Sequence, residues 1–398
     1  MPPRVRVVGL VLLAFVVASC TRGKTGPNGA SALPSSTVRE FVSVSAVQLV
    51  SRSVGVVVVS DCGVNGPEML CRDHLAATQD LGRTWSDITP FDTIPSEGSK
   101  GLGIEHIFFL DPEHGWVVAG DCAAARAVLF RTSDGGRSWH HAPTETSTCN
   151  AGAGVVPQFV DPTHGWLIHL EPTAPSASIR RTVDGGRTWS RGGDFEWITG
   201  VRFLDRRKGW LGGFLHDRAG LFRTPDGGRT WARVPAPLPA CCREWEIMVD
   251  GPTFSGAEHA VVPITLRHGT RSVVAFDVTA DGGRTWDLAS VLRPSGRSGA
   301  NGFPSPLPAS IATPTAWWVV IGDPPILYRT DDGGSTWRSF PIGAGGHVTG
   351  IAAAGSDRAW LASYRGAGHP VRDHERGPIL AHRHTRGLTG RSGDLGCR

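Results

Sequence analysis

The 398-residue chain holds 52 glycines and 29 prolines, about a fifth of its length, and this density of helix breakers excludes a helical bundle or coiled coil. A 40% hydrophobic content that includes 14 tryptophans excludes a disordered chain and points to a large, turn-rich all-β protein. Forty basic residues, only three of them lysine, stand against 36 acidic ones; a net charge of +4 spread along the whole chain argues against nucleic-acid binding.

At the N-terminus, Arg4 and Arg6 precede an apolar run, Val7 to Val17, that is too short for a permanent membrane span and reads as a signal peptide over residues 1–19. The tetrad Val17-Ala18-Ser19-Cys20 resembles the lipobox of bacterial lipoproteins, which implies lipidation of Cys20 and an anchor in the outer face of the bacterial cell membrane. Residues 20–37, rich in Gly, Ser, Pro and Thr, read as a flexible tether. Residues 38–390 are expected to form a single domain, with 391–398 as a tail.

That domain is organised by one repeat. The octet Thr78-Gln79-Asp80-Leu81-Gly82-Arg83-Thr84-Trp85 recurs from Thr132 to Trp139, Thr182 to Trp189, Thr224 to Trp231, Thr279 to Trp286 and Thr330 to Trp337. Its aspartates are read at Asp80, Asp134, Asp184, Asp226, Asp281 and Asp331, a period near fifty, which is the length of one four-stranded propeller blade. Asp-Gly-Gly tolerates positive φ, and an aspartate there accepts hydrogen bonds from backbone N–H groups a few residues on, so each octet is expected to be a hairpin turn joining the third and fourth strands. A turn aspartate saturated with donors has a lowered pKa and makes a poor general acid, so these six are read as staples and not as catalysts.

A second element precedes the octets. His114-Gly115-Trp116, His164-Gly165-Trp166 and Lys208-Gly209-Trp210 each follow an apolar strand ending in Asp111, Asp161 or Asp205, with looser echoes at Trp317-Trp318 and Trp360. Blades are therefore expected at about 44–90, 103–145, 153–193, 197–236, 244–292 and 308–342. A seventh, degenerate blade would begin at Val348, giving a seven-bladed ring with Val38 to Val44 as its closing strand; six blades are the alternative.

The octets resemble the Asp-boxes (BNR repeats) first associated with bacterial neuraminidases. The fuller pattern is similar to that of the photosystem II stability and assembly factor-like and sialidase-like propellers, over roughly residues 44–365. The resemblance implies a rigid propeller but not one function, since sialidases, xyloglucanases and assembly factors share these boxes. A sialidase-like site would imply an arginine triad, a tyrosine nucleophile and an aspartate acid. The chain has no Arg-Ile-Pro signature, and its two tyrosines, Tyr328 and Tyr364, fall on a third strand and after a second strand, away from the axis.

The reading is thus a lipid-anchored, extracytoplasmic scaffold that binds a protein or a cell-envelope glycan, with no catalytic residues, cofactor or metal assigned. The alternative is a glycoside hydrolase of sialidase-like kind. The candidate binding face collects Glu105, His106, Trp197, Arg202, Arg243, Glu244 and Trp245 at inner strands around the ring. Variable loops such as Phe91 to Gly103 and Arg293 to Leu307 would set specificity. In an exported chain the cysteines read as disulfides: Cys62 with Cys71, Cys122 with Cys149, and Cys241-Cys242 as a vicinal pair or one of them with Cys397. His369, His374, His382 and His384 in the tail are taken as chance clustering.

Overall fold

The chain alternates short apolar strands with turns whose chemistry is repeated, and the computed structural model shows those strands as antiparallel sheets arranged in a ring. It describes residues 39–391 except 66–67, 91–102, 122–125, 144–153, 172–175, 216–217, 240–244, 270, 295–307, 323–324, 343–346, 365–378 and 382–387. Blade one is β1 (Arg39–Leu49), β2 (Gly55–Asn65), β3 (Glu68–Thr78) and β4 (Ser86–Asp87). Blade two is β5 (Gly103–Phe109), β6 (Gly115–Asp121), β7 (Arg126–Thr132) and β8 (His140–Pro143). Blade three is β9 (Gly154–Phe159), β10 (Gly165–Glu171), β11 (Ser176–Thr182) and β12 (Ser190–Phe195). Blade four is β13 (Trp197–Phe203), β14 (Gly209–Leu215), β15 (Arg218–Thr224) and β16 (Ala232–Val234). Blade five is β17 (Glu246–Val249), the short β18 (Thr253–Ser255), β19 (His259–His268), β20 (Arg271–Thr279) and β21 (Asp287–Leu292). Blade six is β22 (Ala309–Ile311), β23 (Trp317–Ile321), β24 (Ile326–Thr330) and β25 (Thr336–Pro341). A further sheet holds β26 (His347–Ala353), β27 (Ala359–Tyr364) and β28 (Ile379–Ala381), and β29 (Leu388–Arg391) adds to the outer edge of blade six.

Each octet joins the third and fourth strands of its blade, as its residues dictate. In blade three the buried Thr182 hydroxyl donates to Asp184 Oδ1 at 2.7 Å and accepts the N–H of Gly186 at 2.9 Å. The same carboxylate accepts the N–H and the hydroxyl of Thr188 at 2.9 and 2.6 Å. Gly185 and Gly186 lie at φ 77° and 94°, conformations open to glycine and costly for other residues. Blade one has Leu81 at the first of these two positions, held at φ 61°. Because the turn donors favour the ionised form, Asp80 is held down to about 2, chiefly by the N–H and the hydroxyl of Thr84. The N–H of the octet's fourth residue also reaches the carbonyl of the turn between strands one and two, as in Gly185 to Thr163 at 2.8 Å and Gly227 to Arg207 at 2.7 Å. Octets and first turns therefore share one face of the ring.

Thr182→Val keeps the shape of the side chain and removes its oxygen, leaving the buried Gly186 N–H without its acceptor. We expect a loss of about 2 kcal/mol, read as a lower urea midpoint at unchanged slope.

In blade six the sequence holds two consecutive aspartates, and the staple is Asp332, not Asp331. Asp332 accepts from Thr330 Oγ1 and from the N–H and hydroxyl of Thr336 at 2.6 to 2.8 Å. Asp331 instead pairs with Arg329 at 2.6 Å. The strand register also separates the adjacent tryptophans of this blade. Trp318 pairs with Arg329 as Trp116 pairs with Arg131, so Trp317 occupies the position held by Gly115, Gly165 and Gly209 in blades two to four. In those blades a phenylalanine of the first strand lies flat over the glycine, and a Cβ there would meet the Phe109, Phe159 or Phe203 ring at 2.3 to 2.5 Å. Blade six exchanges the pair: Ile311 faces Trp317, so the aromatic volume comes from the second strand.

Two expectations are corrected. Segment Val38 to Val44 does not close the last blade; β1 pairs with β2 as the first strand of blade one. The ring has six complete blades rather than seven. The sheet β26–β28 packs between blade six and blade one and has three strands among the described residues, while β29 pairs with β25 of blade six. The predicted Cys62–Cys71 bridge is present, between directly paired residues of β2 and β3. Cys20, Cys122, Cys149, Cys241, Cys242, Cys397 and the four tail histidines lie outside the described residues.

Candidate functional site

Four first strands carry a β-bulge at the same height, four residues before their last apolar position: between Val44 and Ala46, Ile104 and His106, Ile198 and Gly200, and Val348 and Gly350. The skipped residues are Ser45, Glu105, Thr199 and Thr349, all polar. A bulge re-aims a side chain and bends its strand, and bulges collect beside binding and catalytic sites. They are set by pairing across strands, and the trace they leave in the sequence is the recurrence of a polar residue four places before Leu49, Phe109, Phe203 and Ala353.

The bulge of β13 borders a cleft between blades four and five. Thr199 Oγ1 donates to the Val249 carbonyl at 2.6 Å and ties β13 to the end of β17. Backbone approaches backbone here: a Cβ on Gly251 would lie 2.6 Å from the Gly200 carbonyl carbon, and one on Gly212 would lie 2.4 Å from the carbonyl group of Asp250. This glycine seam fixes the turn Asp250-Gly251-Pro252 against blade four. The resulting cleft of about 360 Å³ is lined by Thr199, Arg202, Asp250, Pro252, Phe254 and Pro263, among others. Asp250 is buried, its backbone N–H held by the Pro263 carbonyl at 3.0 Å. Desolvation lowers the Arg202 pKa, but a guanidinium remains charged at neutral pH. The cleft thus sets one cation and one carboxyl between apolar walls.

The residues proposed as one binding face separate into groups. Trp197 and Trp245 both stand at the start of a first strand, the former 43% exposed and the latter stacked on His268 with ring centroids 5.8 Å apart. Glu105 and His106 lie near the start of β5. Glu105 fills the space a side chain at Gly120 would need, and His106 Nε2 does the same over Gly154. Burial pushes His106 down to about 4, so it is neutral at pH 7. Arg202 lies at the other end of β13, opposite Trp210 and about 16 Å along the strand from Trp197, in the cleft. Arg243, Glu244 and the loops from Phe91 and before Leu307 lie largely outside the described residues. Tyr328 is buried in the blade-six core on β24, and Tyr364 ends β27. Asp250, Gly212 and Gly251 were missed by sequence reasoning because their roles depend on two blades meeting.

No family model matches the chain. Over 70 residues, 17% of this chain and 8% of the relative, it is 34% identical to a probable oligoxyloglucan-reducing end-specific xyloglucanase of Neosartorya fischeri. The GH74 xyloglucanase structure from Xanthomonas campestris matches with a TM-score of 0.55 at 16% identity, covering 82% of this chain and 53% of that one. A GH74 enzyme structure from Niastella koreensis matches at 0.52 and 14% identity, covering 82% and 52%. The chain spans about half the length of these structures and a small fraction of the curated relative. At such identities the likeness is one of fold, and the chain is an all-β protein with the β-propeller architecture.

Proposed function

We propose that this chain is a glycan-directed propeller, a glycoside hydrolase acting on a polysaccharide bound in the cleft between β13 and the Asp250–Phe254 segment. The observation that carries the reading is the composition of that cleft: a buried aspartate, an arginine and the apolar residues Pro252 and Phe254, together suited to sugar hydroxyls and to the apolar faces of pyranose rings. The local identity with a xyloglucanase supports the same substrate class. Hydrolysis of a glycosidic bond breaks the C–O bond as a proton passes to the leaving oxygen and water adds to the anomeric carbon; of the two carboxyl groups such enzymes commonly use, the cleft lining supplies one among the described residues. Asp250 is the group assigned to that proton transfer, and Arg202 the group that holds the chain of sugars. Carried on a lipidated Cys20 and a tether, the propeller would work at the outer face of the cell membrane.

The test is release of reducing ends from xyloglucan and related β-glucans by the full chain. Asp250→Asn is expected to lower kcat/KM at least a hundredfold while leaving the melting temperature within about 2 °C. Absence of any released product, or full activity in the variant, overturns the proposal. A second reading, the non-catalytic scaffold, is favoured by Trp197, a large aromatic left 43% exposed where a first strand begins. It predicts glycan or protein binding that Trp197→Ala abolishes and Asp250→Asn does not.

A further inference from the structure

On the octet face, an arrangement of arginines recurs between neighbouring blades that neither the cleft nor the turns require. The residue before the octet is arginine in blades two, three, four and six (Arg131, Arg181, Arg223, Arg329), and the octet's sixth residue is arginine in blades one to five (Arg83, Arg137, Arg187, Arg229, Arg284), so blade order sets the two kinds side by side from blade two to blade five. Arg131 of β7 reaches the blade-three octet so closely that a Cβ on Gly185 would lie 2.9 Å from its Nη1. Between the two blades opens a notch of about 430 Å³, lined by Arg131, Arg187, His140, His141 and the glycine pair Gly185-Gly186 over Leu129. Arg181 and Arg229 repeat the relation one interface further on, with Arg181 Nη1 3.6 Å from a Cβ placed on Gly227.

The cations of the notch are not closed by an acid of their own. Neither Arg131 nor Arg187 forms an ion pair among the described residues. The acid at hand, Asp184, is committed to the turn by the N–H groups of Arg187 and Thr188 and the hydroxyls of Thr182 and Thr188. Arg187 Nη1 gives one N–H to the Asp184 carbonyl at 3.2 Å, and the like charges of Arg131 and Arg187, with two imidazoles from the adjoining strand lining the same notch, leave further planar and ring N–H donors for an anion.

We infer that this notch binds an oxyanion group, sulfate, phosphate or carboxylate, and that its repetition at the next interface suits such groups spaced along one anionic polysaccharide. The site lies on the octet face, away from the cleft, and stands whether or not the chain hydrolyses glycans.

Calorimetric titration of the full chain with sodium sulfate, dextran sulfate and neutral dextran tests it. Binding of sulfate or dextran sulfate, but not of dextran, is expected, and Arg187→Ala and Arg131→Gln should each weaken it at least tenfold with the fold intact by circular dichroism. Arg137→Ala is the control. It removes an octet arginine that faces blade one, where Ala77 stands in the place of Arg131, and it should leave affinity within twofold. Dextran sulfate binding tenfold or more tighter than free sulfate identifies a polymer as the source; equal affinity identifies the free anion. Binding unchanged in Arg187→Ala and Arg131→Gln, weakened equally by Arg137→Ala, or absent for both anions overturns the inference.

Discussion

Gly212→Ala is expected to cost about 3 kcal/mol or more and to open the cleft. The new Cβ would stand 2.4 Å from the carbonyl group of Asp250 and from the Val249 oxygen, and these are backbone atoms that no rotamer change can withdraw. Blade five would have to move away from blade four, breaking the 2.6 Å bond from Thr199 to Val249 and the contact of Gly200 with Gly251. The variant should melt several degrees lower and lose any glycan affinity of the cleft together with its stability. Gly350→Ala is the matched comparison: its Cβ meets Ala362 and Val47 at 3.7 Å, an ordinary contact, and stability should change by less than about 1 kcal/mol. Equal effects of the two substitutions would show that the seam between blades four and five is looser than described.

The second large effect concerns Asp277, in the middle of β20. Its side chain is fully buried, and neither carboxylate oxygen has a hydrogen-bond partner among the described residues. Desolvation, with a smaller contribution from the charge of Asp287, pushes it up to about 7. Between the ordinary value near 4 and that raised value the folded chain holds a proton that the unfolded chain has released, so stability falls as pH rises through this window. The loss is of the order of 4 kcal/mol by pH 8 and is absent below pH 4. His106 acts in the opposite sense. Held neutral down to about 4, it makes stability rise with pH up to about 6.5, since the unfolded imidazole takes up a proton first. The two slopes offset one another between pH 4 and 6.5, and Asp277→Asn should unmask the rising one. Melting curves of the wild type and the variant at pH 4.5, 6.5 and 8 decide the matter. A variant that gains no stability relative to wild type between pH 4.5 and pH 8 would rule out a buried, neutral Asp277.

What was legible in the sequence was local. Each octet is complete within eight residues, so its turn, its staple and its place between third and fourth strands follow from composition and spacing alone. Where two alternatives were local equivalents, the reading took Asp331 in place of Asp332 and left Trp317 and Trp318 open, since each pair is separated only by cross-strand register. It failed again at the last sheet, where the repeat had lost its Asp-Gly-Gly turn and the chain's final strand chose a different partner. The bulges depend on pairing between two strands of one blade, and the glycine seam and the arginine notch on neighbouring blades, so none of them follows from the octet alone. Asp277 was visible as an acid in an apolar run, RSVVAFDVT, but an alternating strand leaves open which face each residue takes.

The second-strand tryptophans have a consequence for how the ring comes apart. Trp166 donates to the Gly227 carbonyl of the following blade at 2.9 Å, Trp210 lies under Gly283 of the next, and Trp360 of the three-stranded sheet fills the space beside Gly55 and Gly82 of blade one, its ring 5.6 Å from that of Trp85. Blades three and four and the three-stranded sheet are thus keyed into the turns of their successors, and the last key returns to the first lock. Unlike a linear stack of repeats, such a circle has no free end from which to peel. Truncation before Trp360 should therefore loosen the opposite terminus of the chain, and denaturation should proceed as one transition instead of blade by blade.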